Sequence, residues 1–492
     1  MNFAETILSE DSIPGNSPAL RIKDQVISRA ELIQRVESLS SYFQKQGIQP
    51  GSLVCLQGEN SFAWVVSYLA LMRSGLVCVP LPADSSAEKI RAVVKLAEPK
   101  LFLVSDLVAG RNAQALESLG VPVQRLEALF VQSNSKTSTE PAADVLDTDP
   151  ALILFTSGST GDPKGVVISH GNLLANTQAI LQAAPILPSD VVMNVLPFCY
   201  SFGASILHTH LKAGACIVIN NQFMFADRVL EEMVKVPCTG FAGVPSTFQI
   251  LLKNSSLKKK PPIPLRYLLQ AGGKLAQADI LELEPVFPGA LIYVMYGQTE
   301  ATARLTILPP EELKNKLGSA GKAIPGVKIR ILPDDDAPSG YGEVTAQGAN
   351  ISQGYYRDEA RTTQVFSDGW LHTGDLGRLD EDGYLFLQGR KSDILKCAGN
   401  RASALDVETA MRKFETVKEC AVVAMPDELL GEAVAAFVCV QEGFVMEQFL
   451  EYLKKALPPY LQPKKVQILE ALPKTGSGKV LKGELRKQVT DF

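Results

Sequence analysis

Short apolar runs alternate with helically spaced segments along the first 130 positions. Leu53-Val-Cys-Leu, Val77-Cys-Val-Pro-Leu and Leu101-Phe-Leu-Val read as buried parallel strands joined by crossover helices. Ser28 and Glu31 open one of those helices in a capping-box-like pattern, with apolar residues following at helical spacing. Val131 to Asp149 is polar and poor in aromatics, which predicts a surface linker. The α/β rhythm resumes from Ala151 to about Pro325, with strands predicted at Ile217-Val-Ile and Leu291-Ile-Tyr-Val-Met. From Val327 to Leu387 the pattern changes. Val327-Lys-Ile-Arg-Ile-Leu alternates, Pro333 to Gly342 is turn-rich, and Tyr384-Leu-Phe-Leu follows Asp382-Gly383, which predicts antiparallel hairpins in a small barrel-like region. The C-terminal stretch predicts a helix (Ala404 to Lys413), two strands (Cys420 to Ala424 and Ala433 to Val440), a helix (Met446 to Leu457) and a basic tail. That is enough for a small α+β domain. No internal repeat is visible.

Composition narrows the function classes. The chain has 492 residues, 46% hydrophobic and 21% charged, which is globular composition with room for about three folding units. Lys plus Arg is 48 against 53 Asp plus Glu, a net charge of −5, and no basic face for nucleic acid is expected. Lys258-Lys259-Lys260, ahead of Pro261-Pro262, reads as a solvated loop. The N-terminus lacks a cationic region followed by an apolar one, so no secretory leader is expected. The most apolar window, Ala63 to Pro82, is broken by Arg73, Ser74 and Gly75, and no membrane span is expected. Eight cysteines are scattered without a CxxC pair, which points to reduced thiols in a cytoplasmic protein and away from zinc.

The densest chemistry lies in Leu152-Ile-Leu-Phe-Thr-Ser-Gly-Ser-Thr-Gly-Asp-Pro-Lys-Gly-Val-Val-Ile-Ser-His. A strand enters a loop, and a second strand leaves it. Gly158 and Gly161 let backbone N–H groups approach an anion, while the hydroxyls of Thr156, Ser157, Ser159 and Thr160 add donors. Lys164 adds charge, so the loop reads as a phosphate cradle. It is not a Walker loop, because Pro163 occupies the slot where that pattern places glycine.

Further segments follow in order: Ala271-Gly272-Gly273, Tyr296-Gly297-Gln298-Thr299-Glu300, Gly369-Trp-Leu-His-Thr-Gly-Asp375, Gly389-Arg390-Lys-Ser-Asp393 and Pro473-Lys-Thr-Gly-Ser-Gly-Lys479. With them the chain resembles, over nearly its whole length, the adenylate-forming superfamily. That group includes acyl-CoA synthetases, aryl-CoA ligases, luciferases and the adenylation domains of peptide synthetases. The resemblance implies an α/β fold with a large N-terminal domain (1–390) of stacked α/β subdomains plus the barrel-like β region. A small mobile C-terminal α+β domain (391–492) would carry Lys479. It also implies ATP, Mg²⁺, a small-molecule carboxylic acid, and either coenzyme A or the phosphopantetheine of a separate carrier protein. The reaction would be adenylation of the acid with release of pyrophosphate, then transfer to the thiol.

In the roles so implied, the loop from Thr156 to Lys164 holds the β- and γ-phosphates, Thr299 donates to the α-phosphate and Glu300 ligates Mg²⁺. Ala271, Gly272 and Gly273 form the adenine-side loop, Tyr296 stacks on adenine beside Gly297, and Asp375 accepts from the ribose hydroxyls. Lys479 bridges the carboxylate and the α-phosphate. The small domain turns at a hinge after Arg390, bringing the loop near Gly399 to the site. Ser392 stands at the usual Asp or Lys hinge position, a departure from the pattern.

The acid pocket is expected along Tyr200-Ser-Phe-Gly-Ala204 and Phe241-Ala-Gly-Val-Pro245, with Tyr200, Phe202, Gly203 and Gly243 as lining and Gly272 near the floor. Many relatives carry His where Tyr200 stands, so Tyr200 suits gating or core packing alike. Amino-acid-activating relatives carry Phe-Asp-x-Ser where this chain has Phe202-Gly203-Ala204-Ser205. Without that carboxylate an ammonium group would be buried unpaired, which disfavours an amino acid. Two alternatives stand beside the ligase: a stand-alone amino-acid-activating enzyme, and a nucleotide-binding regulator that has lost catalysis. The motifs leave a luciferase-like oxidative second step open. His208 and His210 read as ordinary residues of the following element, His372 as structural, and His170 is assigned no role. The chain ends soon after the lysine motif, so a stand-alone enzyme without a fused carrier domain is expected.

Overall fold

The apolar runs become strands because each is short, rich in branched side chains and bounded by turn residues. In the computed structural model, which describes residues 1–9, 12–133, 140–157, 163–259, 262–335, 337–397, 400–427, 431–474 and 480–490, they assemble into four sheets. A six-stranded sheet runs in the order Val123–Arg125, Leu101–Val104, Leu53–Gln57, Val77–Leu81, Pro150–Ser157, Pro163–Ser169. It is parallel up to its last pair, which is antiparallel. In a nine-stranded sheet, Leu291–Tyr296, Tyr267–Gln270, Gly240–Gly243, Val191–Asn194, Cys216–Ile219 and Pro18–Ile22 lie side by side in parallel. Thr306–Leu308 and Gln25–Ser28 flank them in antiparallel fashion.

Helix Phe62–Arg73 is buried on every side from Trp64 onward, as a helix apolar all round should be. A single core gathers Val54 and Leu152 from one sheet, Ile217 and Leu269 from the other, and Trp64, Tyr68 and Leu207 from helices Phe62–Arg73 and Ser201–Ala213. Those helices are therefore the filling between the two sheets. Helices Ala87–Ala97 and Asp106–Glu117 cover the far face of the six-stranded sheet through Ile90, Val93 and Val108.

By compactness the chain divides into two units. The first is Met1–Leu317 with Ala323–Lys328 and Gln347–Leu371; the second is Gly318–Lys322, Ile329–Ala346 and His372–Phe492. The hairpins expected from Val327 onward form a five-stranded sheet, in which Trp370–Leu379 pairs antiparallel with Leu385–Arg390. A C-terminal five-stranded sheet is built on the antiparallel pair Val417–Asp427 and Gly431–Val440. Alternate residues there face opposite cores. Val422, Val434 and Ala436 meet Val407 and Phe449 of helices Ala404–Arg412 and Met446–Ala456, while Ala421, Val423 and Phe437 meet Leu485 and Val489.

The predicted surface linker is irregular and largely solvent-facing from 140 to 149, yet it is anchored at several points. The Ala143 N–H donates to the Arg73 carbonyl at 2.9 Å, the Met1 ammonium donates to the Val145 carbonyl at 2.9 Å, and Val145 is buried. Ala143 and Val145 lie beside Gly75, just past the end of the buried helix Phe62–Arg73, and helix Leu126–Ser133 takes up the segment's start. The basic tail is likewise ordered, as helix Lys482–Thr490. Leu485 and Val489, four positions apart, are too sparse a stripe to announce it. Among the described residues no helix is long and apolar enough to cross a membrane.

Candidate active site

Strands Pro150–Ser157 and Pro163–Ser169 bring Thr156 directly opposite Lys164 at the mouth of the predicted phosphate loop. Gly158, Ser159, Thr160 and Gly161 lie outside the described residues, and Ser157 is placed only as the end of its strand. Among the described residues the buried Thr156 hydroxyl has no hydrogen-bond partner. A buried unpaired hydroxyl is costly unless a ligand completes it, so its position at the loop mouth is itself a sign of a polar guest.

The Lys164 Nζ donates to Glu300 Oε1 at 2.7 Å, and the Tyr355 hydroxyl donates to the same oxygen at 2.8 Å. Glu300 is only 7% exposed. Burial alone would push its carboxyl up. The Lys164 charge and the hydrogen bonds from Lys164 and Tyr355 outweigh this and hold it below the usual carboxylate range. Tyr355 reaches the site because it bridges to Val166 on the lysine strand, with the Tyr356 N–H donating to the Gly165 carbonyl at 2.7 Å. The sequence reading did not name Tyr355. Nothing local marks it, since its role arises from pairing with a strand far away in the chain.

Glu300 sits in the single 3₁₀ turn Thr299–Ala301, between strands Leu291–Tyr296 and Thr306–Leu308. The turn is tight. A Cβ on Gly297 would lie 1.9 Å from the Ala303 carbonyl oxygen, and Thr302 takes a φ of 64°. Tyr296, at the strand end, is buried. Ala271 is buried, whereas Gly272 and Gly273 are exposed, and their backbone passes Val244 and Pro245. Gln270 holds that loop by donating from Nε2 to the Gly273 carbonyl at 2.8 Å. This brings the predicted adenine-side loop against the end of the predicted pocket segment Phe241–Pro245. Gly243 is crowded by Thr247, whose Cγ2 would lie 2.9 Å from an added Cβ.

On the other pocket segment, Tyr200 caps helix Ser201–Ala213 and is half-buried, its hydroxyl pushed up by desolvation. Phe202 is buried and carries the Arg304 guanidinium over its ring at 4.2 Å. Gly203 is dictated by space, because a Cβ would lie 2.1 Å from the Pro197 carbonyl oxygen. The Asp of amino-acid-activating relatives cannot be placed there on this backbone. His208 and His210 are core residues. The first pairs with the Tyr68 hydroxyl at 3.0 Å, the second with the Tyr267 hydroxyl at 2.8 Å.

Within the second unit, Asp375 and Arg390 are cross-strand neighbours joined by an ion pair of 2.8 Å from Nε to Oδ1. The sequence reading gave them separate duties and did not anticipate the contact. Ser392 lies in the 3₁₀ turn Lys391–Asp393, where its carbonyl accepts from Arg486 Nη2 at 2.9 Å and Asp393 pairs with Arg486 at 2.6 Å. Lys479 and Gly399 lie outside the described residues.

Among the described residues no cluster of three or more His, Cys, Asp or Glu side chains could cage a metal by itself. Glu300 beside the predicted phosphate loop suits Mg²⁺, which is commonly held by one or two carboxylates together with substrate phosphates and water.

Residues 11–356 match the family model described as AMP-binding enzyme, and residues 406–479 match the AMP-binding enzyme C-terminal domain. Oxalate–CoA ligase of Arabidopsis thaliana is 31% identical over 469 residues, covering 92% of this chain and 90% of that protein. Feruloyl-CoA synthase of Amycolatopsis sp is 30% identical over 504 residues, covering 96% of each. Among solved structures, ATP-bound MatB from Rhodopseudomonas palustris superposes with a TM-score of 0.90 at 27% identity, covering 100% of this chain and 99% of that one.

Proposed function

The chain belongs to the AMP-binding enzyme family, part of the adenylate-forming superfamily, and from that premise we propose that it ligates a non-amino carboxylic acid to coenzyme A through an acyl-adenylate. The observation that carries this reading is the Lys164–Glu300–Tyr355 cluster beside the unpartnered Thr156 hydroxyl. It sets a cation, a carboxylate and a vacant donor where a triphosphate and its counter-ion need them.

In the first step a carboxylate oxygen attacks the α-phosphorus, the bond to the β-phosphate oxygen breaks, and pyrophosphate leaves. Two anions must meet, so charge neutralisation and positioning supply most of the acceleration. Lys164 exchanges Glu300 for phosphate oxygens, and Thr156 completes its hydrogen bonding on the same group. Glu300 would hold Mg²⁺ as a carboxylate ligand, and the ion would supply neutralisation of phosphate charge. Thr299 contacts the α-phosphate, Tyr296 and the Ala271–Gly273 loop take the adenine, and Asp375 takes the ribose. In the second step the thiolate sulfur attacks the acyl carbon, the acyl–phosphate bond breaks, and AMP leaves.

Coenzyme A is the acceptor named for the curated relatives, which supports it over a carrier protein. The crowding at Gly203 speaks against an amino acid. The retention of Lys164, Glu300, Asp375, Arg390 and Lys479 speaks against a lapsed regulator. The division at residues 390 and 391, a hinge at Ser392 and a cytoplasmic location belong to the same reading.

Acid-dependent ATP–pyrophosphate exchange tests it, using a panel of fatty, aryl, short hydroxy and amino acids. Exchange with a non-amino acid is expected, and the Lys479→Ala variant should lose it while still forming thioester from a supplied acyl-adenylate. Exchange with amino acids alone would refute the pocket reading. Equal loss of both half-reactions in the variant would refute the moving lysine.

A further inference from the structure

Arg304 is 2% exposed, in the loop between the Glu300 turn and strand Thr306–Leu308, and among the described residues no carboxylate pairs with it. Its Nε points at the Met295 sulfur at 3.3 Å and its guanidinium lies flat over Phe202 at 4.2 Å, leaving the two terminal nitrogens without a partner among the described residues. The backbone beneath it is clamped. Asn176 Nδ2 donates to the Arg304 carbonyl at 3.0 Å and Asn350 Nδ2 donates to the same oxygen at 2.9 Å. Burial pushes the guanidinium down to about 9, which still leaves it charged at neutral pH.

An interior cation without a counter-charge is among the costliest arrangements a protein can hold. Here the fold spends two buried asparagines and an aromatic face on placing one. Resting on the reading above that Phe202 lines the acid pocket, we propose that Arg304 is the specificity-determining cation of that pocket and that the acid carries a second carboxylate. One carboxylate is adenylated while the other forms a forked pair with the two terminal nitrogens of Arg304.

The geometry favours a carboxylate over a nucleotide phosphate. Lys164 and the Thr156 hydroxyl stand at the phosphate loop, whereas Arg304 packs against the Phe202 ring and the Met295 thioether. A planar guanidinium also matches a carboxylate in a bidentate fork better than any other side chain does. A monoacid would leave Arg304 buried and unpaired, so discrimination arises from the penalty on the wrong substrate as well as the gain on the right one. The product is then a half-thioester with one free carboxylate.

The test pairs dicarboxylic acids with monoacids of the same length or ring: malonate with propionate, succinate with butyrate, phthalate with benzoate. Pyrophosphate exchange is read on the full chain and on its Arg304→Met and Arg304→Lys variants. At least one diacid should exceed its monoacid partner in kcat/KM by about a hundredfold or more. Arg304→Met should collapse that ratio, chiefly through the KM for the diacid, and Arg304→Lys should restore part of it. Unfolding curves should show Arg304→Met at least as stable as the parent, since an unpaired buried charge is removed. A variant that loses exchange equally with mono- and diacids, or one whose KM for ATP moves instead, would overturn the proposal. Calorimetric titration of the diacids in the presence of AMP keeps the two readings apart. If no acid supports exchange but diacid binding disappears in Arg304→Met, the ligase reading fails and the carboxylate site stands. If binding is the same in parent and variant, the site is refuted.

Discussion

At the scale of single residues, two glycines of helices behave oppositely. Gly203 is pressed against the Pro197 carbonyl, whereas a Cβ on Gly110 in helix Asp106–Glu117 would meet nothing within 4 Å. Replacing a helical glycine by alanine ordinarily stabilises by about 0.5–1 kcal/mol. Gly110→Ala should do so, while Gly203→Ala should cost about 1–3 kcal/mol through displaced backbone and raise the KM for the acid. Denaturant melts of both variants, with exchange assays, check the pair. Lys164 offers a second test. Glu300 has a lowered pKa in the folded state, so its stabilising share is fully present above the usual carboxylate range and is lost as pH falls through the lowered value. Lys164→Met removes the main lowering cause and leaves burial, so Glu300 should titrate above the usual range and the sign reverses. Folding of that variant should therefore lose less stability than the parent's on acidification toward pH 5. Its exchange rate at saturating ATP should drop by about 10²–10³, the cost of losing one preorganised charge-stabilising donor.

At the scale of elements, the C-terminal helix is tied down by charge as much as by its two apolar contacts. Lys482 pairs with Glu408 at 2.7 Å and Arg486 with Asp393 at 2.6 Å. Glu408 is buried in helix Ala404–Arg412 and also accepts from the Val422 N–H at 3.0 Å and Arg412 at 3.1 Å. Removing one member of a buried, fully bonded set strands the others. Glu408→Ala should therefore cost about 3–5 kcal/mol in the C-terminal sheet and its helices. Faster hydrogen exchange at Ala421, Val422 and Val423, with the six-stranded sheet unaffected, is the expected result. Unchanged protection at those amides would show that the apolar contacts of Leu485 suffice. Sequence pattern located the helix that carries Glu408 but not the helix that binds it, because a polar nine-residue segment has almost no periodicity of its own. Capping was more legible. Ser28 does accept from the Glu31 N–H at 3.2 Å, although the fully reciprocal box is the one at Ser169 and Asn172.

For the whole molecule, the buried histidines set an acid limit. Burial lowers His170 and His210 to about 4 and His208 to about 3. Between those values and the ordinary 6.5 the unfolded chain binds protons that the folded chain does not, so stability rises with pH through that window and is lost on acidification. Each such group contributes up to about 1.4 kcal/mol per pH unit. Melting temperature should fall steadily from pH 6.5 toward 4.5, and His208→Gln should flatten part of that slope. A flat profile would mean that the three rings take up protons in the folded chain as readily as in the unfolded one.

The sequence by itself determined the strand-rich cores, the order of the nucleotide motifs and the family, because each of these depends on residues adjacent or nearly adjacent in the chain. Thr156, Lys164, Glu300, Asp375 and Arg390 were all visible as candidates for that reason. Tertiary structure alone decided which of them meet. Lys164 and Glu300 are 136 positions apart and Tyr355 and Glu300 are 55 apart, brought together by strand order and one bridge that no local pattern encodes. The same holds for Arg304. In the sequence it is one arginine after a Thr-Glu-Ala turn, and only its packing against Phe202 and Met295 shows that its charge is buried without a carboxylate partner among the described residues. Local chemistry is carried by the chain, whereas desolvation and pairing are properties of what the fold places around each group.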